Sequence, residues 1–324
     1  MSENTARASF DASAFVRKYA ILLILIGFAA ILGVATGGKF LALSNLSNVV
    51  VQVAPIGIIA LGMMFAIITK GIDLSVGATA ALAGVAAASL AQVPGPTAFF
   101  PNLPALPVAL SVVLGLLVGA LAGGVIGALV AIFKIPPFVA TLGMMTAARG
   151  LALIYSDGRP ISNLAPNFNA LGKGIMPILL FAIAAAIIWV ILNRTRFGRH
   201  VYAIGGNEQA ARVSGISISK AHFFIYTLIG LLAGLAGIIL AARVESGGPT
   251  AGTMMELDVI TATVIGGTSF AGGIGTVWGV IVGALIIGVI NNGLDLLNVS
   301  PYLRMVVKGV IIVIAIIIDE RKNR

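Results

Sequence analysis

Long stretches of the chain carry no charged side chain, and these stretches determine the predicted architecture. Asp, Glu, Lys and Arg are missing from 19–38, 40–69, 74–133, 135–148, 174–193, 221–242 and 259–294. A helix that crosses a membrane needs about 20 apolar residues, and the longer intervals divide at the turn-forming segments 70–73, 92–107 and 270–275. The divisions predict ten helical spans at 19–37, 49–69, 74–92, 106–133, 138–155, 175–193, 221–241, 258–271, 276–293 and 302–318.

The eighth span is short, so an incomplete crossing is one interpretation of it. All ten are predicted as helices, because backbone groups cannot be left without hydrogen bonds in lipid. The first apolar run follows Arg17 and Lys18 but is not followed by a clear cleavage site, so we interpret it as a retained helix and not a signal peptide.

Composition points to the same class of protein. Of the 324 residues, 59% are hydrophobic and only 10% are charged, and the mean hydropathy is +1.09. A typical soluble domain has about 25% charged residues. The predicted fold class is therefore an all-α integral membrane protein. The chain has no cysteine, which excludes disulfides and thiolate metal sites.

Membrane topology explains the net charge of +9 better than nucleic-acid binding does, because the basic residues lie at the ends of apolar runs. With ten spans and the N-terminus inside, thirteen of the twenty basic residues lie on the cytoplasmic side. This predicts a cytoplasmic tail at 1–18, a transmembrane domain at 19–318 and a second cytoplasmic tail at 319–324. Within the domain, the hydrophilic segment 194–220, here called the island, is also cytoplasmic and carries five basic residues.

Glycines recur every four residues at 115, 119, 123 and 127, and pairs with the same spacing occur at 230 and 234 and at 279 and 283. Small residues at this spacing let two helix backbones approach closely in lipid. The preferred interpretation is packing within one chain, and contact between two subunits is the alternative.

Few residues of the chain are candidates for catalysis or metal binding. His200 and His222 have no partner at metal-ligand spacing, and no catalytic constellation is found, so we predict no metal, no cofactor and no catalytic residue. The chain also lacks the glycine-lysine phosphate loop of ATP-binding proteins. If ATP powers this protein, another chain must bind it.

Polar residues beside apolar runs are candidates for a translocation path. They are Asp73, Ser75, Thr268, Ser269, Asn291 and Asn292. Asp73 or Ser75 also suits the N-cap of the next helix, which is the structural alternative. The segments 69–84 and 267–283 are each a glycine-rich turn between two spans, and both turns are predicted to face the cytoplasm.

The segment 242–258 is predicted to lie outside, either as a solvated loop or as a docking surface for an external protein. Its candidate docking residues are Arg243, Glu245, Glu256 and Asp258. Lys308, predicted to lie inside the last span, either extends to the membrane surface or pairs with Asp258 or Asp295.

Five segments together resemble the membrane permeases of bacterial monosaccharide ABC importers. They are GIDLSVG (71–77), ATLGMMTAARGLALIYSDGRPI (140–161), the island, PTAGTMMELDVITATVIGGTSFAGGIGT (249–276) and NNGLDLL (291–297). The resemblance runs from about residue 19 to the C-terminus. It implies a homodimer in the inner membrane, a periplasmic sugar-binding protein, a separate cytoplasmic ATPase and a monosaccharide substrate, with ribose as the expected sugar.

The segment NEQAARVSG (207–215) is similar to the Glu-Ala-Ala…Gly signature of these permeases, a short helix that sits in a groove of the ATPase. Gln209 replaces the first alanine, and the glycine comes one residue later. The resemblance implies ATPase-coupling roles for Arg199, Asn207, Glu208, Ala210, Ala211, Arg212 and Gly215.

Two other classes remain open on the residues alone. An ion-coupled secondary transporter usually has acidic or histidine relays inside its spans, whereas the acids of this chain stand at span ends. A channel would be supported by rings of charge, and the sequence shows none.

Overall fold

The computed structural model describes residues 12–322, so residues 1–11 of the predicted N-terminal tail and 323–324 of the C-terminal tail lie outside the described residues. The long elements of the described chain are all α-helices. Its α-helices are α1 Ala12–Ala35, α2 Leu43–Ile68, α3 Val76–Leu90, α4 Val108–Ala131, α5 Pro137–Tyr155, α6 Pro166–Asn169, α7 Met176–Arg194, α8 Arg196–Gly206, α9 Glu208–Val213, α10 Ile218–Val244, α11 Met255–Ile265, α12 Val277–Leu296 and α13 Pro301–Lys322.

Six of the described helices are long and apolar enough to cross a membrane, namely α2, α4, α5, α7, α10 and α12. Most boundaries agree with the sequence prediction to within a few residues. The largest differences are at α1, which begins at Ala12 instead of 19, at α2, which begins at Leu43 instead of 49, and at α11, which ends at Ile265 instead of 271. Hydropathy did not extend α1 and α2 towards their N-termini because polar and charged residues occupy their first turns.

The glycine stripe of α4 packs against α10 within this chain, as the preferred interpretation predicted. A methyl group on Gly119 would lie 2.3 Å from the carbonyl oxygen of Gly230, and one on Gly123 would lie 2.2 Å from that of Tyr226. In the same way, a methyl group on Gly283 of α12 would lie 2.0 Å from the carbonyl oxygen of Ala262 in α11. Glycine at these positions allows backbone-to-backbone contact that any side chain would block.

Helices α3 and α11 are too short to cross a membrane. They have 15 and 11 residues, or about 22 and 16 Å at 1.5 Å per residue, against a hydrocarbon core of roughly 30 Å. The short eighth span agrees with the prediction, but helix α3 is shorter than the full third span predicted at 74–92. Hydropathy does not distinguish a shortened apolar helix from a complete span.

The two short helices, α3 and α11, begin next to each other. A methyl group on Gly77 would lie 2.2 Å from the carbonyl oxygen of Gly252, and Gly252 would be equally restricted by Gly77. Further along α3, Ala80 contacts Gly237 of α10. Both α3 and α11 therefore start inside the bundle and run towards opposite ends of it, each preceded by a non-helical segment.

These non-helical segments correct two expectations. Lys70 contacts Gly272 at the island end of the bundle, but Gly71 already approaches the hydroxyl of the buried Tyr226, so the segment 71–75 enters the bundle and does not stay at its surface. The second segment, 245–254, also turns inward. Its carbonyl oxygens at Pro249 and Ala251 accept hydrogen bonds from Arg149 of α5, at 2.7 and 2.9 Å.

Both ends of the described chain lie at the same end of the bundle as the island. In α13, Asp319 accepts a hydrogen bond from the backbone N–H of Phe270, in the turn that contacts the island. At the start of α1, Ile21 lies close to Gly267 of that same turn. At the opposite end of the bundle, Leu32 of α1 packs against Gly293 of α12.

Candidate functional site

The island folds into two short helices, α8 and α9, and the first turn of α10. Helix α8 is amphipathic, with Val201, Ile204 and two glycines buried and with Arg199 and His200 exposed. Its N-cap Thr195 accepts a hydrogen bond from the backbone N–H of Gly198 at 3.2 Å. The alternation of apolar and basic positions lets α8 lie along the end of the bundle with its charges outward.

Gly205 fixes α8 against the bundle. A methyl group there would lie 2.0 Å from the carbonyl oxygen of Ile68, the last residue of α2, and 2.5 Å from the backbone nitrogen of Gly273. The Tyr202 hydroxyl donates to the carbonyl oxygen of Gly275 at 2.7 Å, and burial raises the pKa of this phenol above its usual value. The island is thereby joined to α2 and to the turn 266–276.

Helix α9 is closed by a cap at each end. The Asn207 side chain accepts from the backbone N–H of Ala210 at 3.0 Å. At the other end Gly215 has φ of +82°. Its N–H bonds the carbonyl of Arg212, and the N–H of Ile216 bonds that of Ala211. This is a Schellman motif, which requires a left-handed residue at Gly215.

One face of α9 is anchored and the other is free. Ala211 is buried in a small cluster with Ile204, Ile218 and Ala221. The exposed residues are Glu208, Gln209, Ala210, Arg212, Val213, Ser214 and Gly215. Glu208 and Arg212 form an exposed ion pair at 2.8 Å, a contact that contributes about 0.3–0.5 kcal/mol to a helix.

Val213 is the unexpected member of this face. Its side chain is 86% exposed, although it belongs to the most hydrophilic segment of the chain, and the ordered caps on both sides hold it in place. We call Glu208, Ala210, Arg212, Val213 and Gly215 the α9 surface. Sequence reasoning predicted four of these five residues and missed Val213, since an isolated valine gives no signal until its exposure is known.

The predicted path residues near the island end are buried. Asp73 and Ser75 are each 1% exposed, and one Asp73 oxygen accepts from both the backbone N–H and the hydroxyl of Ser75, at 2.8 and 2.7 Å. Ser75 occupies the N-cap position of α3, as the structural alternative predicted, but its side chain makes no capping hydrogen bond to that helix. Thr268 and Ser269 are also buried, and Ser269 donates to Asp319 at 3.1 Å.

The two asparagines of α12 have different environments. Asn292 is buried and exchanges two hydrogen bonds with Asn45, at 2.9 and 3.0 Å, which joins α12 to α2. Asn291 is only partly buried and lines a cleft at the end of the bundle opposite the island. Adjacent residues of one helix point in different directions, and the sequence alone could not separate them.

The structure separates the four predicted docking residues. Arg243 and Glu245 lie at the end of α10, opposite the island, and Glu245 forms an exposed ion pair with Lys173. Glu256 and Asp258 belong to the first turn of α11, inside the bundle, and Asp258 is only 8% exposed. The expected surface of four side chains is therefore reduced to the first two.

Lys308 of α13 pairs with Asp258, at 2.8 Å between Nζ and Oδ2, while Asp295 pairs with Arg304. Of the two interpretations of Lys308, pairing is confirmed. The pair joins α13 to α11 within the apolar part of the bundle, where each charge needs the other.

We predict that removing one partner of this pair is worse than removing both. Lys308→Met leaves the Asp258 carboxylate unpaired and should lower the free energy of unfolding by on the order of 2 kcal/mol, reduced from the cost of a fully buried charge because Lys308 is partly exposed. The double variant Asp258→Asn/Lys308→Met should recover part of that loss. Thermal unfolding in detergent measures the stability of both variants. A double variant that is less stable than Lys308→Met would contradict the pairing.

The described features define a class of protein, a multi-pass membrane protein with an ordered hydrophilic surface at one end. The family model described as the branched-chain amino acid transport system / permease component matches residues 45–316. The chain belongs to this family of transport permeases.

Individual relatives are similar over nearly their whole length. The ribose import permease protein RbsC of Bacillus subtilis is 46% identical over 88% of this chain and 87% of the relative, and that of Escherichia coli K12 is 42% identical over 93% and 92%. The galactose/methyl galactoside import permease protein MglC of Haemophilus influenzae is 38% identical over 99% and 98%. No solved structure gives a significant match.

Proposed function

We propose that this protein is the membrane-spanning subunit of an ATP-driven importer that carries ribose across the bacterial inner membrane. The observation that carries the proposal is the α9 surface, a capped helix whose apolar and charged side chains point away from the rest of the chain. The substrate follows from the ribose permeases, which are the more similar of the relatives described above.

The proposed topology has ten membrane-embedded helices, of which α3 and α11 are too short to cross the membrane, and both termini lie in the cytoplasm. It keeps the domain at 19–318, with the island as its coupling loop and short tails at 1–18 and 319–324. The support is the charge distribution, because thirteen of the twenty basic residues then lie inside.

A separate cytoplasmic ATPase supplies the energy in this proposal. The α9 surface, together with Arg199 and the capping Asn207, contacts a groove of that ATPase, while the buried Ala211 anchors α9 to its own chain. Gly205 and Tyr202 then transmit a movement of the island to α2 and to the turn 266–276, since both residues bond or pack directly against those segments.

The other partners are a second copy of the chain and a periplasmic sugar-binding protein. The binding protein docks at the end opposite the island, where Glu245, Lys173 and Arg243 offer charges of both signs. ATP-driven closure alternates access of a central path to the two sides. The segments 71–75 and 245–254 border that path, because they run as non-helical chain inside the bundle. Thr268 and Ser269, buried in the turn 266–276, border its island end.

One observation favours a second candidate, an ion-coupled transporter. The Lys308–Asp258 pair is an ionisable couple among apolar helices, and such residues often mark ion pathways.

Uptake into reconstituted vesicles separates the two candidates. The permease is reconstituted with its ATPase and binding protein, and radiolabelled ribose is followed. The proposal predicts uptake that requires ATP and is unchanged by a protonophore. Uptake that survives without ATP and collapses with the protonophore would establish the second candidate instead.

A further inference from the structure

A cleft of about 210 Å³ opens at the end of the bundle opposite the island. Four helices and the inward segment 245–254 form its walls. The lining residues are Gln52, Pro55, Ile56, Leu240, Arg243, Gly252, Met255, Gly288 and Asn291. The position of the cleft matters because one lining residue, Gly252, contacts Gly77 where the short helices α3 and α11 begin.

Three polar side chains line this cleft, and their hydrogen-bonding capacity is largely unused. Within residues 12–322, the Gln52 amide and the Arg243 guanidinium have no hydrogen-bond or ion-pair partner. Asn291 has one contact, a long one of 3.5 Å to Asp258. All three side chains are partly exposed where they line the cleft, so their donors and acceptors are available to water or to a ligand.

The acids near the cleft are engaged elsewhere, which leaves Arg243 without a protein counter-ion among the described residues. Glu245 pairs with Lys173, Asp258 with Lys308 and Asp295 with Arg304. Glu256, next to the cleft residue Met255, interacts electrostatically with Arg149. No carboxylate lines the cleft, so it does not favour a cation. The guanidinium provides several donors in a plane, and the two amides provide donors and acceptors.

The remaining walls are apolar. Ile56, Leu240 and Met255 offer surfaces for C–H groups. A small ligand with several hydroxyl groups and an apolar ring face matches this combination better than an ion or a fully apolar molecule does.

We infer that Gln52, Arg243 and Asn291 form a transient binding site for the monosaccharide hydroxyls, the first site in the permease after release from the binding protein. The inference rests on the proposed function and names the residues that contact its substrate. It also changes the expected role of Arg243, from docking the binding protein to contacting the sugar.

The test measures ribose delivered and ATP hydrolysed in the same reconstituted vesicles. Gln52→Leu and Asn291→Leu should leave the ATPase stimulated by ribose-loaded binding protein, while ribose delivered per ATP falls about fivefold for each variant, as expected for the loss of roughly 1 kcal/mol of hydrogen bonding. Asn48→Leu is the matched control on α2, because Asn48 is exposed and outside the cleft, and it should behave as wild type.

If a leucine variant does not fold, Gln52→Met and Asn291→Met provide a second pair, in which a more flexible side chain replaces the branched leucine. Size-exclusion chromatography checks that each variant is folded. The inference is overturned if all cleft variants deliver ribose normally, or if Arg243→Gln abolishes stimulation of the ATPase while the amide variants stay normal, which would make Arg243 a docking residue. Failure of the proposed function is distinguishable, since the wild-type vesicles would then import no ribose with ATP.

Discussion

Gly123→Leu should prevent the permease from folding into a stable bundle. A Cβ at this position would lie 2.2 Å from the carbonyl oxygen of Tyr226 and 2.9 Å from the Cα of Gly230. Both neighbours are backbone atoms, so relief requires α4 and α10 to separate. Overpacking usually costs 1–3 kcal/mol, and we expect a loss of at least about 3 kcal/mol here, because separation also opens the adjacent glycine contacts.

Gly124→Leu is the matched control on the same helix. A Cβ there meets only the Thr227 hydroxyl, at 3.8 Å, so this variant should remain close to wild type. Yield of monodisperse protein in detergent and the midpoint of thermal unfolding measure the difference. Equal stability of the two variants would show that the α4–α10 contact is not as close as described.

Val213→Asp should abolish most ATP-dependent uptake and leave the protein folded. The side chain is 86% exposed, so an aspartate there costs the isolated chain little. If Val213 enters an apolar part of the ATPase groove, its burial contributes about 1.5–3 kcal/mol, and losing it weakens the complex by roughly 10- to 100-fold. ATPase binding to the purified permease and ribose uptake measure the two consequences.

Val93→Asp is the control for this variant. Val93 is also an exposed valine, but it lies in the loop after α3, at the end opposite the island. Uptake by this variant should stay near the wild-type rate. Normal binding and uptake by Val213→Asp would mean that the exposed valine has no partner in the transporter.

The sequence predicted the helices and the location of the island well, for a physical reason. Spans are long and apolar with few charges, and glycines every four residues predicted close helix packing within the chain, without naming α10 as the partner of α4. Asn207 and Gly215 were named from the sequence only for the coupling role that the resemblance implies, and the structure shows that they also cap α9.

Features that depend on tertiary contacts were not predictable. Hydropathy could not show that α3 has only 15 residues, because the non-helical segment 71–75 before it also lies inside the bundle. It could not separate Asn291 from Asn292, which face different neighbours. The candidate docking set included Asp258 because its position in the sequence suggested a loop. Its pairing with Lys308, 50 residues away, was one of the alternatives, but the sequence could not choose between Asp258 and Asp295 as the partner.

The central claim, that the α9 surface binds an ATPase, is tested most directly by crosslinking from Ser214. The chain has no cysteine, so Ser214→Cys introduces a single thiol on an exposed residue, and Thr97→Cys places one in the loop at the opposite end. After crosslinking in native membranes, mass spectrometry identifies the attached protein. The account predicts a nucleotide-binding chain at Ser214→Cys and none at Thr97→Cys; a Ser214→Cys thiol that reacts from the cytoplasm but captures no ATPase would contradict it.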